Sequence, residues 1–365
     1  MGEVTISSIP RTPWHDFPAA ITQWYLIRYL GMDPDHKIAH LWKKRMNKYA
    51  ENAYQIRKTT LATELAQQME KPKAELPQPY VDFRDVFEKK TIDELPPSKT
   101  FDHAIELNEG FSPKVAKVYP LNPKEQEACR AFVDKHLKSG KIVPSKSPQA
   151  SLFFFVPKKN GSVRPCQDYW YLNSHTVKNT YPLPLISNLI DKLKGLLIFN
   201  KMDIWWGYNN VLIKPEDRWK VTFVTPLKLF KPTVMFFGLC NSPATFQALM
   251  NHIFGDFIAE GWLIIYMDDI LIHSNDQELH TKWTRKVLEY LQKHKLFLKL
   301  EKCSFNKADI EYLGMIVKEG HVGMDLVKLA AIQEWKPPSS VKGVQLFIGF
   351  CNFYQKFIPD FSTIA

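Results

Sequence analysis

Two adjacent aspartates, Asp268 and Asp269, interrupt the most apolar stretch of the 365-residue chain. They separate the apolar runs 263–267 and 270–272, each of which predicts a buried strand. Neighbouring carboxylates in such a hairpin repel each other and lose hydration, so they are unfavourable unless cations neutralise them. Hard divalent cations such as Mg²⁺ prefer carboxylate oxygens and substrate phosphates. A polar hairpin turn is the alternative, although Asp-Asp suits a two-residue turn poorly.

A third aspartate, Asp203, ends a further apolar strand that we predict over residues 197–204. Helices are predicted from Asn122 to Gly140 and from Ser242 to Gly261, each opened by proline and closed by glycine. Further strands are predicted from the apolar pattern, at residues 151–156, 163–169, 211–213, 220–224, 233–236, 262–267, 270–274 and 296–300. The fold class is therefore α+β, an antiparallel sheet with helices on one face.

The ends of the chain differ from this centre. Residues 1–75 show two helical patterns, at 21–30 and 38–65, and the prolines between Pro72 and Pro97 predict a linker. Nothing near the start has the pattern of a secretion signal, so we expect the cytoplasm or the nucleus.

The chain is basic, with 48 Lys and Arg against 38 Asp and Glu and a net charge of +10. An anionic partner is expected, nucleic acid ahead of a membrane surface. No apolar run approaches the roughly 18 residues of a membrane span. Five cysteines without a Cys-x-x-Cys pair exclude a zinc ribbon or knuckle and predict reduced thiols.

The sequence of residues 266–269, Tyr-Met-Asp-Asp, matches the YMDD box of reverse transcriptases. Further blocks resemble gypsy-type LTR retrotransposon polymerases in the same order, at residues 154–169, 206–208, 237–247, 294–303, 311–314, 350–354 and 357–358. The resemblance covers about residues 101–365, and it identifies a fragment of a metavirus-like Pol polyprotein. It matches nothing in residues 1–75.

The resemblance implies a right-hand polymerase with fingers, palm and a partial thumb or connection, and the helical patterns of residues 1–75 predict a helical N-terminal extension before it. The implied domains are an N-terminal helical or linker region at 1–100, fingers and palm at 101–275, the palm end with a primer-grip-like hairpin at 276–325, and a partial thumb or connection at 326–365. We expect no aspartic protease, RNase H or integrase within these residues.

The resemblance also implies roles for named residues. Asp203, Asp268 and Asp269 would be catalytic and would hold two Mg²⁺ ions, with Mn²⁺ as a substitute. The remaining candidates share a role in holding substrates: nucleotide-binding Lys158, Arg164, Tyr208, Phe237 and Gln247, and primer-binding Tyr312, Leu313 and Gly314. Without the resemblance, a solvated basic hairpin, core aromatics and an ordinary glycine turn remain the alternatives.

The implied function is RNA-directed DNA polymerisation, in which a primer 3′-hydroxyl attacks the α-phosphate of a deoxynucleoside triphosphate. The implied partners are an RNA or DNA template with its primer, deoxynucleoside triphosphates, and either RNase H or integrase parts of the same element or a second polymerase subunit, but no membrane. The implied location is a virus-like particle in the cytoplasm, or the nucleus. Trp170 stands where the family usually has arginine, which leaves open a degenerate, weak or inactive relic that still binds nucleic acid.

Overall fold

The computed structural model describes residues 75–88, 94–98, 100–157, 163–318, 321–324, 335, 337–357 and 360–364. The helices expected at residues 21–30 and 38–65 therefore lie outside the described residues. The chain divides into a larger unit, residues 74–310 with 318–320, and a smaller one, which includes residues 311–317 and 321–365.

A five-stranded sheet forms one part of the larger unit. Its strands are β1 (Ile142–Pro144), β2 (Ser151–Pro157), β3 (Val163–Asp168), β5 (Phe223–Val224) and β6 (Leu229–Pro232), in the order β1-β6-β5-β2-β3. Helix α1 (Pro123–Lys138) begins with a capping box in which Asn122 and Glu125 bond each other's backbone N–H groups. The ring of Phe132 on this helix lies 5.4 Å from that of Phe153 on β2, so aromatic packing joins the helix to the sheet.

A four-stranded antiparallel sheet forms the other part. Its strands are β4 (Ile198–Asp203), β7 (Leu263–Tyr266), β8 (Asp269–Ser274) and β9 (Ser304–Lys307), in the order β7-β8-β4-β9. The helices that complete the unit are α2 (Trp170–Ser174), α3 (Ile186–Asp191), α4 (Ser242–Ala259) and α5 (Gln277–Lys293). Helices α4 and α5 pack against this sheet and form its main core, as their apolar spacing predicts. The predicted α+β class is confirmed.

The two faces of β8 have different neighbours. Ile270 and Ile272 belong to the main core with α4 and α5, together with Met202 of β4. Because side chains alternate along a strand, Asp269 and Leu271 point to the opposite face. Leu271 is also fully buried, so both faces of the strand are covered beyond Asp269. The carboxylates at the strand ends thus lie on the face away from the main core.

The stretch predicted as a linker is partly core. Residues Gln78–Phe87 form a 3-10 helix whose Tyr80, Phe83 and Val86 are buried in the main core. An ion pair between Asp82 and Arg285 of α5 ties it to the sheet's helical layer. The flanking prolines suggested a linker, but the apolar residues between them pack against elements that are distant in the sequence.

Three predicted strands are wrong. Residues 211–213 form no strand, because Leu212 and Ile213 make only isolated bridges, to Val234 and His103. Residues 296–300 form no strand, because Leu298 bonds Val86 and bridges only Ile204, and a 3-10 turn, Leu300–Lys302, follows. Residues 233–236 are likewise outside a strand, since β6 has already ended and Val234 makes a single bridge. In these places apolar side chains are buried although the backbone forms no continuous ladder of strand hydrogen bonds. An apolar sequence pattern cannot distinguish such a segment from a buried strand.

The smaller unit contains most of a three-stranded sheet of β10 (Ile310–Tyr312), β11 (Met315–Lys318) and β12 (His321–Met324). It also contains α6 (Val341–Asn352), capped by the Ser340 hydroxyl, and the short α7 (Phe361–Ile364). Across the described part of the chain, no helix has the length and apolarity needed to cross a membrane.

Candidate active site

Asp203 and Asp269 are directly opposite each other on neighbouring strands. Asp203 is the last residue of β4 and Asp269 the first of β8, and the antiparallel register pairs them. Asp268 precedes Asp269 in the turn, and its carbonyl accepts a hydrogen bond of 2.9 Å from the Ile204 N–H. The fold thus brings together the three aspartates that the sequence analysis selected.

The turn itself consists of Met267 and Asp268, because Tyr266 and Asp269 still pair across β7 and β8. The prediction that placed the turn at Asp268-Asp269 is therefore wrong by one residue. Met267 has a φ of +54°, in the left-handed region that few residues other than glycine adopt. A strained backbone at a functional site needs support from its surroundings.

Gln247 on α4 supplies that support. Its side-chain oxygen accepts a hydrogen bond of 2.8 Å from the Met267 N–H, and the Gln247 side chain is fully buried. Its amide nitrogen bonds Asn251 at 2.9 Å and lies 3.4 Å from the Ile265 carbonyl. The structure therefore places Gln247 behind the turn, whereas the resemblance implied a position lining the nucleotide and template pocket.

Two lysines lie against the carboxylates, and the sequence analysis missed both. Lys302 Nζ is 2.8 Å from Asp203 Oδ2, and Lys201 Nζ is 3.9 Å from Asp269 Oδ1. Strand parity could have found Lys201, because it lies two residues before Asp203 on the same face of β4. Lys302 lies in a 3-10 turn 99 residues after Asp203, and no local signal indicates it.

The carboxyl pKa values reflect burial and crowding. Burial raises the pKa of Asp268, and the charge of Asp203 raises it further. Burial also raises the pKa of Asp269. The charge of Lys201 lowers this pKa, and the charges of the other two aspartates raise it. Burial works to lower the pKa of Lys302, but its hydrogen bond to Asp203 and the three negative charges outweigh this and raise it. The site favours a bound positive charge.

The residues fit a divalent cation in donor type and charge. Three carboxylates supply hard oxygen ligands, and their mutual repulsion is what a cation would relieve. In the described part of the chain, however, no three His, Cys, Asp or Glu side chains converge into a ready ligand group. The ammonium groups of Lys302 and Lys201 contact two of these carboxylates instead.

Gly207 allows the chain to pass close to Asp268. A Cβ atom built on Gly207 would lie 3.2 Å from the Asp268 Cβ and 3.3 Å from the Phe246 ring. Such contacts are tighter than those of nearly all real side chains, so any other residue would push on the turn. The glycine of the Trp-Gly-Tyr block therefore has a steric reason.

Two aromatic residues stand beside the carboxylates. The Tyr208 hydroxyl donates a hydrogen bond of 3.5 Å to the Met267 sulfur, and its ring lies 4.9 Å from that of Phe237. Burial, followed by the charge of Asp268, raises the pKa of Tyr208 to about 12. Phe237 is 63% exposed, so its ring is open to a ligand next to the site. The structure thus places both predicted nucleotide-binding aromatics together.

The predicted basic clamp is only partly described. Arg164 is exposed on β3 opposite Val156, and Lys158 lies outside the described residues. Within the described residues, no hydrogen bond or ion pair joins Arg164 to the three aspartates. Its role stays a prediction.

The predicted primer-binding residues form a tight turn between β10 and β11. Tyr312 is fully buried, and Leu313 and Gly314 have φ of +49° and +78°. Two successive positive φ values are typical of a type I′ hairpin turn, in which glycine relieves strain at the second position. Their role in primer binding stays a prediction.

Comparisons with known proteins agree with this geometry. Residues 156–317 match the family model described as reverse transcriptase (RNA-dependent DNA polymerase). The Tf2-3 and Tf2-7 transposon polyproteins of Schizosaccharomyces pombe are each 34% identical to this chain over 292 residues. That alignment covers 80% of this chain but only 22% of either polyprotein, so the chain spans about a fifth of their length.

Solved structures share the fold. A foamy viral protease-reverse transcriptase in complex with double-stranded DNA aligns with a TM-score of 0.69 at 22% identity, over 78% of this chain and 49% of that one. The same viral protein in complex with an RNA/DNA hybrid aligns with a TM-score of 0.66 at 21% identity, over 78% and 38%. The two sheets and their helices therefore have the fold of these polymerases.

Proposed function

Since the chain carries a reverse transcriptase domain of an LTR retrotransposon polyprotein, we propose that it acts as an RNA-directed DNA polymerase. It would add deoxynucleotides to a primer 3′-hydroxyl on an RNA or DNA template. The observation that carries the proposal is the pairing of Asp203 with Asp269 and the adjacent Asp268 turn, in the Tyr-Met-Asp-Asp sequence.

Enzymes of this family generally use divalent cations, and we propose that this chain uses Mg²⁺, with Mn²⁺ as a substitute. Asp203, Asp268 and Asp269 would hold them. When bound, such ions activate the attacking hydroxyl and stabilise the pyrophosphate leaving group. The carboxylates would hold negative charge at the end of β4 and the beginning of β8, on the face away from the main core, where the cations would bind.

The remaining side chains would bind and orient the nucleotide. The exposed ring of Phe237 would contact it, and Tyr208 behind that ring would leave no room for a ribose 2′-hydroxyl. Lys158 and Arg164 would pair with the triphosphate, and an arginine suits phosphate because its planar group forms two parallel hydrogen bonds. Tyr312, Leu313 and Gly314 would hold the primer end.

The wider context belongs to the same proposal. We propose the gypsy-type subclass and cooperation with RNase H or integrase parts of the same element or with a second polymerase subunit. We also propose the domain boundaries given by the sequence analysis, except that Gln78–Phe87 packs in the main core and belongs with the polymerase rather than with a linker. We propose action in a cytoplasmic virus-like particle or in the nucleus, without a membrane partner. The net charge of +10 supports contact with a nucleic-acid backbone, without sequence readout.

Primer extension on an RNA template tests the activity. The wild-type protein should incorporate deoxynucleotides with Mg²⁺ or Mn²⁺, and Asp268→Asn should reduce incorporation to background. Asp256→Asn is the matched control, because Asp256 is an exposed aspartate on α4. Incorporation by folded wild-type protein no greater than that of Asp268→Asn would rule out the polymerase.

A second function is favoured by Trp170. This residue stands where the family usually has arginine, and it is 82% exposed at the start of α2. If the polymerase test fails, we propose a relic that binds nucleic acid through its basic surface. Gel shifts at several salt concentrations would then show affinity that falls steeply with salt, and a flat dependence would contradict binding through phosphates.

A further inference from the structure

A chain of partly buried polar contacts leads from the Met267–Asp268 turn to Tyr181. The Met267 N–H bonds Gln247, the Gln247 amide nitrogen donates to Asn251 Oδ1, and Asn251 Nδ2 donates to the Tyr181 hydroxyl at 2.8 Å. We propose that Asn251 and Tyr181 are positioning residues that act through Gln247 and hold the catalytic turn in place. The catalytic part of this proposal rests on the proposed function.

The order of donors and acceptors gives this relay its effect. A primary amide can turn either its oxygen or its nitrogen towards a given neighbour. Only the oxygen of Gln247 can accept a hydrogen bond from the Met267 N–H. Asn251 Oδ1 accepts from the Gln247 nitrogen and thereby selects the correct orientation. The Tyr181 hydroxyl accepts from the Asn251 nitrogen and so holds the Asn251 side chain within reach of Gln247. Asn251 therefore fixes the Gln247 amide, and Tyr181 anchors Asn251.

The far end of the relay is anchored as well. The Tyr181 N–H bonds the Asn179 side chain at 2.9 Å, and the Asn179 N–H bonds Asn241 Oδ1 at 3.1 Å. Asn241 precedes α4 and donates to the Val177 carbonyl at 2.8 Å. The segment that carries Tyr181 is thus bonded to the beginning of the helix that carries Gln247 and Asn251.

The turn needs this support because Met267 is held at a φ of +54°. With the Gln247 amide free to rotate, its nitrogen would face the Met267 N–H for part of the time and leave that donor unsatisfied. An unsatisfied buried donor costs more than a hydrogen bond contributes, so the turn would open more often. Asp268 and Asp269 would then be less accurately placed for the reaction.

Hydrogen exchange tests the relay without any activity. In peptides covering residues 263–270, Asn251→Leu should make exchange at the turn about tenfold faster, and Tyr181→Phe should have a smaller effect in the same direction. Asn251→Asp should stay near wild type, because its oxygens accept from both Gln247 and a reversed Tyr181 hydroxyl. The exposed positions Asn188→Leu and Tyr119→Phe serve as controls.

Kinetics separates positioning from general loss of structure. Asn251→Leu and Tyr181→Phe should lower kcat while the Kd for primer–template stays unchanged, and Asn251→Asp should restore kcat. Unchanged exchange in both disruptive variants would overturn the relay, whether or not the protein polymerises. The relay would also be overturned if Asn251→Asp behaved no better than Asn251→Leu, so that hydrogen exchange and kcat depended on side-chain volume alone. If wild type lacks activity, the exchange result still decides the relay.

Discussion

Lys302 donates a hydrogen bond of 2.8 Å to Asp203, so the aspartate at the end of β4 has a cationic partner within the chain. The same lysine lowers the pKa of Asp268 and of Asp269. Lys302 therefore limits how far burial and crowding can raise these pKa values. It therefore favours the ionised form of both carboxyl groups.

Lys302→Met should move the acid limb of the pH–activity profile to higher pH. Without the lysine charge, the raised pKa values of Asp268 and Asp269 would rise further. A higher pH would then be needed to ionise the two carboxyl groups. Initial rates of primer extension from pH 5.5 to 8.5 measure this shift. Lys286→Met, at a lysine of α5 whose ammonium packs near the Phe257 ring, is the control. An acid limb at the same pH in both variants would contradict the prediction.

Asp268→Asn should abolish extension yet raise thermal stability at neutral pH. The folded pKa of Asp268 is raised, so its stabilising effect is present at low pH and is lost as pH rises through the folded pKa. Asparagine has no charge to bury, and we expect the Tm at pH 7.5 to increase by about 1–3 °C. The difference should shrink towards pH 4. A lower Tm for Asp268→Asn at pH 7.5 would show that the carboxylate stabilises the fold.

Gly207→Ala should lower kcat about tenfold, because the new Cβ would press on Asp268 and Phe246 and displace the turn by a few tenths of an ångström. Steady-state extension kinetics measures the effect. Gly255→Ala is the matched control, since no atom lies within 4 Å of its Cβ position and alanine favours the α4 helix. Equal kcat values for the two variants would mean that the contact with Asp268 is unimportant.

Acid should destabilise the larger unit through three buried histidines. Burial lowers the pKa of His103, His273 and His280 to about 4 each. Because the unfolded value is about 6.5, the stability they contribute as neutral side chains is lost as pH falls from about 6.5 towards 4. Thermal melts across this range should show a falling Tm. His280→Leu should flatten the fall, and the exposed His252→Leu should not. A Tm that is constant from pH 7 to 4.5 would contradict this assignment.

Local pattern was sufficient for the centre of the site. The apolar pattern predicted the strands beside Asp203 and Asp269, the resemblance implied that these aspartates meet, and the capped helices follow from proline and glycine signals. Gln247 offered a signal that the sequence analysis did not use, because it is a polar residue between the core residues Phe246 and Leu249 on α4. A buried amide in such a place must find a partner.

Tertiary contacts decided the rest. The burial of Tyr80 and Val86 depends on a core built by elements more than a hundred residues away, so flanking prolines misled the linker prediction. Lys302 reaches Asp203 only because a 3-10 turn follows the bridge at Leu298. No periodicity within either segment encodes these contacts.

The alternation along β8 also has a consequence for how such a domain tolerates substitutions. Ile270 and Ile272 meet the main core, whereas Asp269 faces away from it and pairs with Asp203. Substitutions that accumulate in a drifting copy would therefore fall into two separable classes along one six-residue strand. Changes at positions 270–274, which are all buried, would impair folding, and a change at Asp269 would silence the copy while its fold persists. A silent but well-folded copy would still compete with active copies for template.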